Sequence, residues 1–369
     1  MPVTAIKFAN RKSSFAAEVN ERVERYFAER SLSDKANLAM VVKTVVLLGI
    51  TFGSYAAILT NRVPAWGMLL LAVLMGVGMA GIGFAVSHDA LHGAYTRRPR
   101  LGRLIGGTFD LLGANSYMWQ ITHNVIHHTY TNIQGVDEDL EVSPLIRLSP
   151  RSPWRPVHRM QHWMAFVLYS FSTLFWVWAK DYKYFLKRDL GPYRDKEHPR
   201  GEIALLVVTK AFYYGWSVVV PFLVVEVTWW QFLIGYLAMH LTAGIILGVV
   251  FQLAHVVEGP EHPVPDAHGQ MDDAWLIHQM ETTSNFATHN RLLSWYVGGL
   301  NHQIEHHLFP RVCSVHYPAI APLVREAART HGVPYHHQPT VWSAVRSHYR
   351  TLKQFGNPDP SAAYAAPLA

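Results

Sequence analysis

Nine histidines in four short windows carry the chemistry that this 369-residue sequence offers. The windows are His88-Asp89-Ala90-Leu91-His92, His123-Asn124-Val125-Ile126-His127-His128, the single His255 in Gln252-Leu253-Ala254-His255, and Asn301-His302-Gln303-Ile304-Glu305-His306-His307. Imidazole is the commonest protein metal ligand, and residues four apart on a helix share a face, so His88 and His92 are placed to bind one metal together. Adjacent residues stand about 100° apart around a helix, so the doublets His127-His128 and His306-His307 each suit two metals side by side. Eight or nine imidazoles also exceed the needs of one zinc, which takes about four ligands. Imidazole serves iron well, and iron brings oxygen chemistry, so the economical reading is a dinuclear iron site. The only cysteine, Cys313, excludes an internal disulfide and a thiolate cluster.

The elements that must position these histidines follow from hydropathy. Half the residues are apolar and only 16% are charged, with a net charge of +6. That balance excludes a disordered chain and a nucleic-acid binder and points to a membrane protein. Four apolar stretches are each long enough to span a bilayer as a helix: Leu38 to Leu59, Ala65 to Ser87, Ile203 to Val225 and Trp229 to Ala254. Short polar breaks, Asn61 to Pro64 and Glu226 to Thr228, join them into two hairpins. Arg97, Arg98, Arg100 and Arg103 follow the second stretch, and Lys180, Lys183, Lys187, Arg188 and Arg194 precede the third, which the positive-inside rule reads as cytoplasmic. Every histidine window then lies at or beyond a cytoplasmic helix end. Lys43 and Lys210 fall inside spans and are expected to snorkel.

The aromatic stretch Trp163 to Ala179 is expected to be an interfacial helix, because a fifth crossing would put the histidine windows on opposite sides of the membrane. Leu104 to Trp119 is expected at the interface too. The resulting architecture is all-α: a cytoplasmic segment over residues 1–37 without a cleavable signal peptide, a membrane domain over 38–357 with four transmembrane helices in two hairpins, interfacial helices and a cytoplasmic histidine-rich cap, and a flexible tail over 358–369.

The three clusters resemble the histidine boxes of the membrane-bound fatty acid desaturases, and the likeness runs from about Leu38 to Tyr335. The resemblance implies a fatty acyl desaturase that uses O2 and two electrons at two iron ions to insert a cis double bond. The implied ligands are His88, His92, His123, His127, His128, His306 and His307, with His255 as the isolated extra one. Gln303 in place of a first box histidine, with the run Gln303 to Pro310, resembles the front-end subgroup that includes the Δ5 and Δ6 enzymes. Residue 302 is histidine where that subgroup often has an aromatic residue, so His302 and Gln303 compete for one coordination position. Spacing favours Gln303, which shares a helical patch with His306 and His307. No His-Pro-Gly-Gly haem motif occurs in the chain. Electrons are therefore expected from a separate ferredoxin or cytochrome b5 with its reductase. The implied substrate is an acyl-CoA or an acyl-lipid, and the setting a bacterial inner membrane.

Asp89, Asn124, Gln252 and Glu305 are expected to orient ligand imidazoles, while Asp137 and Asp139 after Gly135 read either as further orienting carboxylates or as solvated turn residues. Without the resemblance, His255 reads more readily as an interfacial polar group than as a ligand, and His240 reads as a hydrogen-bonded packing residue. Two other functions compete. A hydroxylase of the same architecture would return oxygen to the carbon. An intramembrane zinc hydrolase would use His88-Asp89-Ala90-Leu91-His92 as its metal helix, but would leave the other boxes unexplained.

Overall fold

The computed structural model describes residues 6–10 and 13–358, so the expected tail beyond Pro358 lies outside the described residues. The chain is a mainly helical membrane protein. Leu38–Leu59, Ala65–Leu91, Arg200–Val224 and Trp229–His255 are each long and apolar enough to cross a bilayer. Asn37 starts the first span by accepting the Met40 amide at 3.1 Å, an N-cap that satisfies one of the free donors of the opening turn. At the fourth, Gln231 Oε1 accepts the Thr228 amide at 2.9 Å. The two hairpin turns are tied together, because Asn61 donates to the Val224 carbonyl at 2.9 Å and accepts the Glu226 amide at 2.9 Å. Both turns therefore lie at one end of the four helices.

The second and fourth spans are the central pair, and they touch through glycine. A Cβ on Gly76 would run into the Met239 carbonyl and Thr242. This close approach buries Met75, Met79, Met239 and Ala243 in the main apolar core. The outer faces, with Leu70, Val207, Phe212 and Leu223, stay exposed and present an apolar belt suited to lipid.

The second span runs further than hydropathy alone delimits. A π-helical segment, Ile82–Ser87, carries it into His88–Leu91, so the first histidine box is its last turn. π-turns are rare and concentrate at functional sites. The fourth span likewise ends on His255 itself.

The aromatic stretch is helical in pieces, Gln161–Ser170, Ser172–Phe175 and the π-helical Trp176–Lys180. It leans across the fourth span: Ser172 donates to the Gly244 carbonyl at 3.2 Å, Thr173 to the His240 carbonyl at 2.8 Å, and the Trp178 indole to Tyr236 at 3.0 Å. Its other face exposes Trp163, Val167, Phe171, Phe175 and Trp178 at helical spacing, an apolar stripe turned outward.

Neither lysine inside the spans snorkels. Lys210 is buried and donates to the Gly113 carbonyl at 2.6 Å, the Val177 carbonyl at 3.0 Å and Asp181 at 2.8 Å. Three partners offset its desolvation and join the third span to two helical segments. Lys43 is only 3% exposed and lies 5.8 Å from the Trp295 ring. Past the fourth span, the helices Trp275–Thr282, Gln303–Leu308, Tyr317–His331 and Val341–Phe355 pack over the histidine end, together with a two-stranded parallel ribbon of Ser284–Phe286 and His336–Gln338.

Candidate metal centre

The histidine end of the four helices gathers eight imidazoles. His88 and His92 project from the last turn of the second span, with ring centroids 4.6 Å apart. Gln120–His127 is wound as a π-helix and presents His123, His127 and, in the following turn, His128. His255 ends the fourth span, and His306 and His307 lie on the short helix Gln303–Leu308. All eight are buried except His92, which is partly covered.

Two groups form. His88, His92, His123 and His306 bring one ring nitrogen each within 4.8 Å of one another, and so do His127, His255 and His307. Each of the later boxes serves both groups, and the doublet His306-His307 splits between them because neighbouring side chains diverge around a helix. His128 stands between the groups, with its ring centroid 4.7 Å from that of His92, 4.6 Å from His306 and 4.4 Å from His307.

The δ-nitrogens are held from outside. His127 Nδ1 is 3.0 Å from Asp137 Oδ2, His307 Nδ1 donates to Gln279 Oε1 at 2.8 Å, His255 Nδ1 to the Thr282 carbonyl at 3.2 Å, and His306 Nδ1 lies 3.2 Å from Tyr317 Oη. The ε-nitrogens of His92, His123, His127, His255, His306 and His307, and both ring nitrogens of His128, are buried with no hydrogen-bond partner. Buried nitrogens without partners are costly in a protein interior, and a cation shared among them removes that cost. The residues present thus fit a metal: the δ-nitrogens of His127, His255, His306 and His307 are engaged from outside, and their ε lone pairs are left free. Burial and mutual proximity hold His92, His123, His128, His306 and His307 well below the ordinary imidazole range, and therefore neutral and able to ligate. For His127, burial also lowers the pKa, but the carboxylates of Asp137 and Asp139 outweigh it and raise the balance.

Some of the groups beside the imidazoles are ones the sequence singles out and others are not. Of its two readings Asp137 takes the orienting one: it is 1% exposed, because the loop after His128 folds back on the site. Asn132, in the left-handed region at φ 61°, anchors that loop: its amide bonds Asp137, and its side chain donates to the carbonyls of His255, Glu261 and Thr282. Asp139, partly covered, lies 3.9 Å from His123 Nδ1 and 3.6 Å from Lys180 Nζ. Gln279, Tyr317 and Thr282 carry no sequence signal, being distant in the chain and outside every motif.

Asp89 Oδ1 lies 3.8 Å from His88 Nδ1, while its other oxygen accepts from the Ser314 amide and hydroxyl at 2.9 and 2.8 Å. Asn124 donates to the Leu91 carbonyl at 2.9 Å and so joins the first two boxes. Glu305 faces away from the imidazoles and accepts from Asn285 at 2.8 Å and Tyr335 at 2.9 Å, with burial pushing its carboxyl up to about 7. Gln252 is buried one turn before His255. His302 belongs to neither group: its Nδ1 lies 3.3 Å from Asn301 Oδ1, and burial, then the nearby His337, lowers it to about 4. Gln303 is buried in the opening turn of the His306-His307 helix. His240 bonds Tyr213 at 2.7 Å and Thr173 at 3.1 Å, away from the centre.

Aromatic rings close the membrane side. Trp119 stacks on His123 at 4.4 Å and meets His88 and His92 edge-on at 5.4 and 5.5 Å. Phe109 bridges Trp119 to Trp176 at 5.5 Å each, and Phe251 lies against His123, His127 and His255. On another side a cavity of about 740 Å³ has His92 and His128 among its walls.

The arrangement has counterparts among known proteins. The sequence profile described as fatty acid desaturase matches residues 64–339. The sn-1 linoleoyl-lipid 6-desaturase of Arthrospira platensis is 37% identical over 352 residues, covering 94% of each chain. The protein of the same name from Synechocystis is 36% identical over 355 residues, 95% of this chain and 98% of that one. An acyl-lipid (8-3)-desaturase of Physcomitrium patens is 34% identical over 93% of this chain and 72% of its own length.

Proposed function

The chain belongs to the fatty acid desaturase family, and from that premise we propose a front-end acyl-lipid desaturase that inserts a cis double bond at carbon six of a chain esterified to a glycerolipid. The observation that carries this reading is the pair of adjoining imidazole groups with inward ε-nitrogens at one end of four membrane helices. The acyl carrier and the position are the ones in the names of the two cyanobacterial relatives.

The reaction removes two hydrogens from a CH2–CH2 unit and, with O2, two protons and two electrons, yields the alkene and two waters. Two iron ions held by these groups would supply the O2 activation that an unactivated methylene demands. His88, His92, His123 and His306 would hold one, and His127, His255 and His307 the other, with His128 between them and Gln303 over the pair directly or through water. Asp137, Gln279, Thr282 and Tyr317 keep the δ-nitrogens engaged, so each ring presents its ε lone pair without rotating away. Trp119 and Phe251 shut water out on the membrane side, where the acyl chain lies against them. A ferredoxin, or a cytochrome b5 with its reductase, delivers the two electrons in this reading.

The histidine end faces the cytoplasm of a bacterial inner membrane in this reading, because Arg97, Arg98, Arg100 and Arg103 stand at that end. The test is expression in a host lacking the activity, followed by mass spectrometry with double-bond localisation. A new cis-Δ6 acyl chain in the glycerolipids is expected. A hydroxylated chain, or unsaturation at another carbon, would overturn the assignment.

A further inference from the structure

We propose that the cavity beside His92 and His128 is a receptor for an anionic phosphate headgroup, so that the substrate is a phosphoglycerolipid and not a neutral lipid. The inference rests on the acyl-lipid reading above and specifies the headgroup. The cavity measures about 740 Å³, within the range of about 300–1,000 Å³ typical of small-ligand sites. Its lining includes three cations, Lys35, Arg97 and Arg311, and no carboxylate. Asp34 lies just behind, 3.1 Å from Lys35 Nζ and 2.8 Å from Arg97, and neutralises one of the three charges. Lys35 also donates to the Arg311 carbonyl at 2.7 Å, which joins the segment before the first span to the loop after the third box. The Arg311 guanidinium is exposed and makes no ion pair or side-chain hydrogen bond among the described residues. Its planar donor fork matches a phosphate.

The position of the mouth points to a lipid. Immediately after Arg97 comes the helix Pro99–Gly106, which carries Arg100 and Arg103 together with exposed Leu101 and Leu104, the composition of a segment lying in the headgroup plane. Desaturation near the carboxyl end keeps the ester close to the metal groups, within about a lysine side chain's length. A headgroup attached to that ester falls in this cavity, whose walls include His92 and His128. A protein electron donor would rest on the rim and leave the concave interior unfilled.

The test uses the purified full-length protein in detergent, with native mass spectrometry of bound dioctanoyl phosphatidylglycerol, dioctanoylglycerol, octanoyl-CoA and inorganic phosphate. Phosphatidylglycerol should bind about tenfold more tightly than dioctanoylglycerol, the worth of one charge-assisted contact. Arg311→Gln should remove most of that preference and Arg311→Lys should keep most of it, with the unfolding midpoints of both unchanged. Equal binding of the two lipids would overturn the proposal, and so would a preference that survives Arg311→Gln. Displacement of phosphatidylglycerol by equimolar octanoyl-CoA would assign the cations to a coenzyme instead, and inorganic phosphate binding as tightly as the lipid would assign them to free phosphate. An acidic ferredoxin that loses affinity in Arg311→Gln, with no lipid discrimination in the wild type, would assign them to the electron donor. Product analysis of the same proteins is a separate readout. Double bonds formed equally in neutral and anionic lipids would defeat the headgroup site and leave the desaturase standing; headgroup preference without any double bond would do the reverse.

Discussion

At the scale of single residues, the centre depends on acceptors that sit far from the boxes in the chain. Gln279 holds His307 through a 2.8 Å bond and lies 28 positions away from it. Gln279→Leu keeps the bulk and removes the acceptor, so His307 loses its fixed tautomer. We expect metal affinity to fall about 10–100-fold, read as iron per chain after dialysis against a graded chelator. Unchanged iron retention would mean that Gln279 only packs. The third box allows a sharper contrast. His302 is turned toward Asn301, outside both imidazole groups, so His302→Phe should keep its iron and substantial activity. Gln303 shares a helical patch with His306 and His307, and Gln303→Ala should lose most activity. Iron lost from the first variant with the second silent would reverse the two roles.

At the scale of elements, a buried ion pair connects what the membrane helices alone would leave loose. Lys210 of the third span meets Asp181, at the end of the aromatic stretch, and the Gly113 carbonyl, in the turn that precedes Trp119. Asp181 also accepts from the Asn115 amide at 2.9 Å and the Trp176 indole at 3.0 Å. The pair thereby sets the wall of Phe109, Trp119 and Trp176 against His123. Lys210→Met strands a buried carboxylate, at a cost of about 3–5 kcal/mol. The double variant Lys210→Met with Asp181→Asn removes the stranded charge while keeping an acceptor, and should recover much of the loss. Thermal unfolding in detergent of the two single variants and the double checks this; additive losses would show that the two side chains do not interact.

At the scale of the whole molecule, one prediction concerns orientation. The two hairpin turns hydrogen-bond to each other through Asn61, and the imidazole groups lie at the opposite helix ends. Single cysteines at Arg62 and Thr228, both exposed, should react with an impermeant thiol reagent from outside the cell, and cysteines at Arg151 and Lys187 should not. The native Cys313 is buried and contributes little background. Labelling of Lys187→Cys from outside would mean that the stretch from Trp163 crosses the membrane.

Local information was enough for the four spans, their pairing into hairpins and the identity of the box histidines, because a membrane helix is set by an unbroken apolar run and a metal box by spacing along one helix. The composition of each imidazole group was not local. His306 joins His88 and His92 across more than two hundred residues, and His307 joins His255, through the packing of four elements. The residues that hold the rings were hidden for the same reason. Asp137 reads as either an orienting carboxylate or a turn residue until Asn132 pins its loop against the fourth span, and Gln279 and Tyr317 have no pattern at all before the cap folds over the site. Lys43 and Lys210 read as snorkelling side chains because hydropathy counts what a helix is made of, not what it faces. Which face is inward is decided by close contacts such as Gly76 on Met239, and those exist only when the helices are together. Spacing along one helix therefore singled out the box histidines, and packing between helices divided them into two groups.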